Sequence, residues 1–138
     1  MSRPIAAALL AAFALLSSTG CSTLADARAA RGSGEARVYN ASYDQVWNAV
    51  PEALKELGLK EEGYSKGSGY VVARSQTMVG EKIPLAGVAD NLAVFVDKGD
   101  SASQTRVEVV AKSSVPLNPL SKKWEARVLD KLSEKLPR

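Results

Sequence analysis

The stretch Asn91-Leu92-Ala93-Val94-Phe95-Val96-Asp97-Lys98, followed after Gly99-Asp100-Ser101-Ala102-Ser103 by Thr105-Arg106-Val107-Glu108-Val109-Val110-Ala111, decides the fold. The first run alternates, with Leu92, Val94 and Val96 on one face of a strand and Ala93 and Phe95 on the other. Small and polar residues make the connection a turn. The second run returns with Val107, Val109 and Ala111 toward a core and Arg106 and Glu108 outward. Two alternating runs joined this closely form an antiparallel pair.

Working outward, Leu59 to Ser65 and Tyr70 to Met78 read as two more strands, joined by the glycine-rich hairpin turn Lys66-Gly67-Ser68-Gly69. Between the two pairs, Gly80 to Asp90 carries Pro84 and Gly87 and is the least regular part of the domain. Within Val79 to Val88, residues Ile83, Pro84 and Leu85 are the candidate partner contact, presented on a loop. Upstream, Ala36 to Tyr39 has the alternation of an edge strand.

Two helices complete the pattern. Ser42 with Gln45 three residues on forms a capping box, and Asp44 in the first turn suits the helix dipole. Val46, Trp47, Val50, Ala53, Leu54 and Leu57 recur at helical spacing up to a terminating Gly58, with a kink expected at Pro51. The last helix is expected to start at Asn118 as cap with Pro119 in the first turn. It carries Leu120, Trp124, Val128, Leu132 and Leu136 every four residues, broadened by Leu129 and stopped by Pro137. The fold class is therefore α+β, in the order β-α-β-β-β-β-α: an antiparallel sheet of about four to five strands with two helices on one face, spanning 36–138. Trp47 and Trp124 lie on the apolar stripes and read as core. Tyr39, Tyr43, Tyr64 and Tyr70 fall near element ends, where a ring packs and its hydroxyl stays wet.

Ahead of this domain stand Arg3, the apolar run Ile5 to Leu16, and Ser18-Thr19-Gly20-Cys21. A basic residue, a short apolar core and a small-residue segment are the parts of a secretory signal. The apolar run measures roughly 18 Å as a helix against about 30 Å of bilayer hydrocarbon, too short to span comfortably. The segment resembles the lipobox of bacterial lipoproteins, with Ser18 where that pattern usually has Leu and with Leu15 and Leu16 one turn earlier. The resemblance implies a signal peptide over 1–20, cleavage between Gly20 and Cys21, and acylation of Cys21. Ser22 rather than Asp after the cysteine implies passage to the outer membrane. Residues 21–35 then read as a flexible lipidated tether ended by Gly32-Ser33-Gly34, with a reach of roughly 20 Å. Ala and Arg would also support a transient helix over Leu24 to Arg31.

Composition narrows the chemistry. Removing the signal over 1–20 leaves 118 residues, one small domain. Lys and Arg number 18 against 15 Asp and Glu, a formal +3, with the charges interspersed. They form no basic stripe of the kind nucleic-acid binding requires, so no nucleic acid is expected as partner. The single cysteine, used for lipid, leaves no internal disulfide in an oxidising compartment.

Gly63-Tyr64-Ser65-Lys66-Gly67 matches the G-x-S-x-G of a hydrolase elbow, but that device needs a helix after the turn and a histidine. The chain has no histidine, and a strand follows. A Ser65–Lys66 or Ser65–Lys60 dyad has nothing in the sequence to position it. Asp97-Lys98-Gly99-Asp100 lacks calcium-loop spacing. The neighbours Glu61 and Glu62 point to opposite faces of a strand. Asn40-Ala41-Ser42 matches a glycosylation sequon but leads into the helix. No catalytic residue, cofactor or metal site is expected.

The run Val38-Tyr39-Asn40-Ala41-Ser42-Tyr43-Asp44-Gln45-Val46-Trp47-Asn48-Ala49-Val50, continuing to Leu54-Lys55-Glu56-Leu57-Gly58, resembles the opening of helix-grip domains of the BamC type and of related envelope lipoproteins. The resemblance covers about Ala36 to Leu136 and implies a non-enzymatic envelope protein that binds or scaffolds; it carries over no partner, and an envelope protein is the partner expected. The alternative expectation is a carrier holding a small apolar ligand between sheet and helices, in a cavity lined by Trp47, Phe95 or Trp124.

Overall fold

A computed structural model of the protein describes residues 23–79, 83–114 and 123–137, with the side chains of 76–88 left out of the description. In chain order the elements are α1 (Leu24–Ala29), β1 (Glu35–Tyr39), α2 (Tyr43–Glu56), β2 (Lys60–Ser65), β3 (Tyr70–Val79), β4 (Ile83–Lys98), β5 (Thr105–Ser113) and α3 (Trp124–Lys135). The α+β class is as expected: a 5-stranded sheet of order β1-β5-β4-β3-β2, antiparallel at every junction.

The β4–β5 hairpin forms the centre of the sheet. Leu92 faces Ala111, Val94 faces Val109 and Val96 faces Val107 in register. All but Ala111 are essentially fully buried, and Ala111 packs against the same cluster. Helices α2 and α3 cover this face, and Val46, Val50, Ala53, Leu54, Val128, Leu129 and Leu132 close the core with Trp47 and Trp124. Burial of each such Val or Leu contributes about 1.5–3 kcal/mol relative to exposure.

The expected capping box at α2 is present. Gln45 N donates to Ser42 Oγ at 3.3 Å, and Ser42 N donates to Gln45 Oε1 at 2.9 Å. The helix runs on through Pro51 to Glu56. Gly58 then adopts a left-handed φ of +75°, which a side chain would resist, and Leu59 N closes back on Leu54 O at 2.9 Å. Strand β1 is tied to α3 by Tyr39, whose hydroxyl donates to Leu129 O at 2.6 Å, and by Arg37, which donates to Asp130 and Ser133 at 3.0 Å each.

Four expectations need correction. The irregular segment after Gly80 becomes regular at Ile83, so Ile83, Pro84 and Leu85 open β4 and do not sit on a loop. Met78 faces Pro84 and Val79 faces Ile83, with a register shift before the regular ladder at Gln76 and Ala89. Extra residues on one strand are absorbed as an irregularity, which accommodates Pro84 and Gly87 without ending the strand. The last helix begins at Trp124, behind an N-cap Lys123 with no side-chain cap bond, and not at Asn118. Asn118, Pro119 and Leu120 lie outside the described residues. Trp124 is fixed at the helix start by its indole N–H, which donates to Asp90 Oδ2 at 2.8 Å.

The third correction concerns the stretch expected as a flexible tether, which carries α1 packed on the sheet with Ala27 at 0% exposure. The fourth concerns Glu108, which faces away from the main core as expected but is buried, at 1% exposure. The two corrections have one cause. Ala93, Phe95 and Val110 make the second face of the sheet apolar, and α1 covers it with Ala27.

Candidate functional site

The segment leading into the domain is held by a set of contacts that begins at Thr23. Asp26 N donates to Thr23 Oγ1 at 3.3 Å, and Asp26 Oδ2 accepts from Thr23 N at 2.6 Å, a capping box that starts α1. That backbone N–H, then the Thr23 hydroxyl, holds the Asp26 carboxyl below the ordinary aspartate range. Six residues of helix are too few to persist alone in water, so α1 depends on what it packs against.

Beyond the helix, Glu108 acts as a clamp. Its Oε1 accepts from Gly32 N at 2.6 Å and from Gly34 N at 3.0 Å, and its Oε2 accepts from Arg106 at 3.3 Å. A buried carboxylate is costly unless its oxygens are filled, and here two backbone donors and a guanidinium fill them. Gly34 is required by space. A Cβ there would lie 2.1 Å from the Val109 carbonyl oxygen. Arg31 pairs with Asp97 and lies over the Phe95 ring at 4.9 Å, while Arg28 lies over Tyr70 at 5.3 Å and donates to its hydroxyl at 3.1 Å.

Two surface concavities flank Tyr43 at the other functional candidate, the end of the sheet that carries both tight hairpin turns. One, of about 490 Å³, is lined by Ser42, Asp44, Lys98, Asp100 and Gln104 among others. The second, of about 560 Å³, is lined by Lys66, Gly69, Val96 and Asp97 among others. Tyr43 stacks on Trp47 with ring centres 6.0 Å apart, and its hydroxyl donates to Lys66 O at 3.0 Å. Burial pushes that phenol above its usual pKa. The Lys66 ammonium is engaged 2.8 Å from Asp44. The concavities are thus walled by ammonium and carboxylate groups already in contact with each other or with solvent.

The sequence candidates fall as follows. Gly20 and Cys21 lie outside the described residues. Ile83, Pro84 and Leu85 are strand residues in the part of the β3–β4 pair that neither β2 nor β5 accompanies, since those ladders stop at Arg74 and at Asp90–Ser113. Ser65 ends β2, and its Oγ accepts from Ser68 N at 3.3 Å inside the hairpin turn. The side chain of Lys66 is directed to Asp44, away from a Ser–Lys pairing. Glu62 falls at a register break in β2 and pairs with Lys60 at 3.4 Å. Among the described residues no group of three or more metal-ligating side chains occurs. Trp47 and Phe95 stand on opposite faces of the sheet, so they do not line one cavity.

The α1–Glu108 assembly was missed because its residues look like linker when read one at a time. Two signals are present: the Thr23-to-Asp26 spacing of a capping box, and the apolar Ala93, Phe95 and Val110 on the strand face that alternation turns away from the main core. No family model matches the chain, and no curated protein was found to be similar to it.

Proposed function

We propose that this protein is a lipid-anchored, non-enzymatic module of the bacterial cell envelope, held by acyl chains on Cys21 to the periplasmic side of the outer membrane. The observation that carries the reading is the order Arg3, Ile5 to Leu16, Gly20-Cys21, placed two residues before Thr23, the cap of the packed helix α1. A short apolar core, a small-residue segment and a cysteine are what a lipoprotein signal requires. A sequence with no histidine and a single cysteine, assigned to lipid, also lacks the commonest means of acid–base and nucleophilic catalysis. The role left to the domain is binding or scaffolding of another envelope protein, with Ile83, Pro84 and Leu85 as the contact.

Intact mass of the mature protein tests the anchor. The expected product begins at Cys21 with acyl mass added and fractionates with membranes. An unmodified N-terminus on a freely diffusing species would overturn the reading. For the contact, Ile83→Ser with Leu85→Ser is expected to abolish capture of the partner from envelope extracts while leaving the melting temperature unchanged. A large fall in melting temperature would place these residues in the core instead.

A further inference from the structure

The sequence distance from Cys21 to Thr23, the first described residue, is two residues, at most about 7 Å of chain. Beyond Thr23 there is no loose tether: α1 packs on the sheet, and the chain after it is clamped by Glu108. If Cys21 carries the acyl chains, α1 lies within about a nanometre of the headgroups, and it brings the sheet face beneath it.

That face carries unmatched positive charge. Residues opposite each other in an antiparallel ladder share a face, so the register Arg74–Asn91–Lys112 makes one row across β3, β4 and β5. The Nε of Arg74 donates to Asn91 Oδ1 at 3.3 Å, in keeping with that placement. Lys112 follows the core-facing Ala111 and so takes the opposite side. Of the acidic groups near this surface, Asp97 is paired with Arg31 and Glu108 is held by Gly32, Gly34 and Arg106, while Asp26, bonded to Thr23, keeps its negative charge and is outnumbered by the cations that follow. Among the described residues Arg28, Arg74 and Lys112 have no carboxylate partner. The helical side differs in its balance: α2 and α3 carry six acidic groups, Asp44, Glu52, Glu56, Glu125, Asp130 and Glu134, against the four cations Lys55, Arg127, Lys131 and Lys135, and the last two pair with Glu52, Glu56 and Glu134.

We infer that the α1-bearing face of the sheet lies against the anchoring bilayer, with Arg28, Arg74 and Lys112 meeting the phosphates of anionic lipid headgroups. The inference rests on the anchor reading. A cation near an anionic leaflet is held there electrostatically, and the short link to Cys21 keeps these three within range. The helices α2 and α3 then point away from the membrane.

The test uses the full acylated chain reconstituted in phosphatidylethanolamine vesicles with and without phosphatidylglycerol. A fluorophore is placed on Val38→Cys, an exposed position on the membrane-proposed face, or on Asn48→Cys, exposed on α2. Once Cys21 is acylated, each introduced cysteine is the only free thiol. With a headgroup-attached quencher, the label at 38 is expected to be quenched and that at 48 spared, the contrast growing with phosphatidylglycerol. Arg28→Gln and Lys112→Gln are each expected to reduce the ratio of lying to upright molecules by about fivefold, with melting temperature as the check on folding. Equal quenching at both positions, or a contrast indifferent to phosphatidylglycerol, overturns the orientation while the anchor stands. A chain that fails to float with vesicles overturns the anchor and the orientation with it.

Discussion

Glu108 is the residue on which the N-terminal segment turns. Its carboxylate sits on the sheet face opposite the main core and takes hydrogen bonds from two backbone amides that have no helix or strand to satisfy them. Glu108→Ala orphans both amides at a cost of about 1–3 kcal/mol each. Glu108→Gln keeps one acceptor oxygen and is expected to lose less. Urea denaturation of the two variants, compared with the parent, measures the difference. An Ala variant as stable as the parent would show that solvent fills the site of the carboxylate.

At the scale of elements, α1 is the part whose existence depends on a few contacts. Thr23→Ala removes a side chain that accepts at the helix start, at a cost of about 1 kcal/mol. In a six-residue helix that loss is expected to appear as faster amide exchange over residues 26–34, with β4 and β5 unchanged. Acid acts on the same helix. The Asp26 carboxyl is depressed by the Thr23 N–H and hydroxyl, and Glu56 is depressed by its hydrogen bond from Lys135. A carboxylate with a lowered folded-state pKa contributes stability that is complete above its unfolded value and lost as pH falls through the folded one. Stability is therefore expected to fall below about pH 4, the range of unfolded carboxylates, with exchange in α1 rising first. The alkaline side has the opposite sign. Lys135 is raised by its hydrogen bond to Glu56, so its contribution is present below the usual lysine range and lost as pH rises through the raised value. Both carboxylates are exposed to solvent, so 1 M salt should flatten the Glu56 part of the profile.

These elements also mark how far the residues alone could be read. The α2 helix was legible because its signals agree: the Ser42–Gln45 box, the apolar stripe and Gly58 all specify the same boundaries. The β4–β5 hairpin was legible because alternation of period two assigns each valine a side. What alternation could not say is whether the second side is wet. Ala93, Phe95 and Val110 required a cover, and the cover came from a stretch whose Ala and Arg residues suit a helix and a linker equally. Long-range pairing, Gly32 and Gly34 with Glu108 above all, has no local signature. The start of α3 is hidden for a similar reason: Asn118-Pro119 is a good cap signal by sequence alone, whereas the helix begins where Trp124 reaches Asp90, far off in sequence. At the candidate site, the resemblance to a lipidation signal lies in the sequence around Cys21, whereas the gathering of Arg28, Arg74 and Lys112 on one side of the sheet emerges only from the fold.

For the whole molecule, stability is concentrated between the sheet and the helices α2 and α3. Leu132→Ala, fully buried there, is expected to cost about 2–5 kcal/mol and to lower the stability of every strand together. Ala27→Asp, fully buried on the other side, is expected to release α1 while the sheet and the two long helices keep their cooperative melt, as a calorimetric scan with parallel exchange data would show. On these expectations the sheet with α2 and α3 is the firm part of the molecule and α1 the detachable one.

The detachable part lies next to the N-terminal end of the chain, which gives it a mechanical meaning. Tension applied at Cys21 reaches α1 first, then the Glu108 clamp, and only afterwards the edge strand β1 that begins at Glu35. Peeling from Thr23 to Gly34 would lengthen the link by up to about 40 Å before any ladder bond broke. With the anchor proposed above, the segment would serve as a sacrificial fuse, giving way under shear before the sheet behind it.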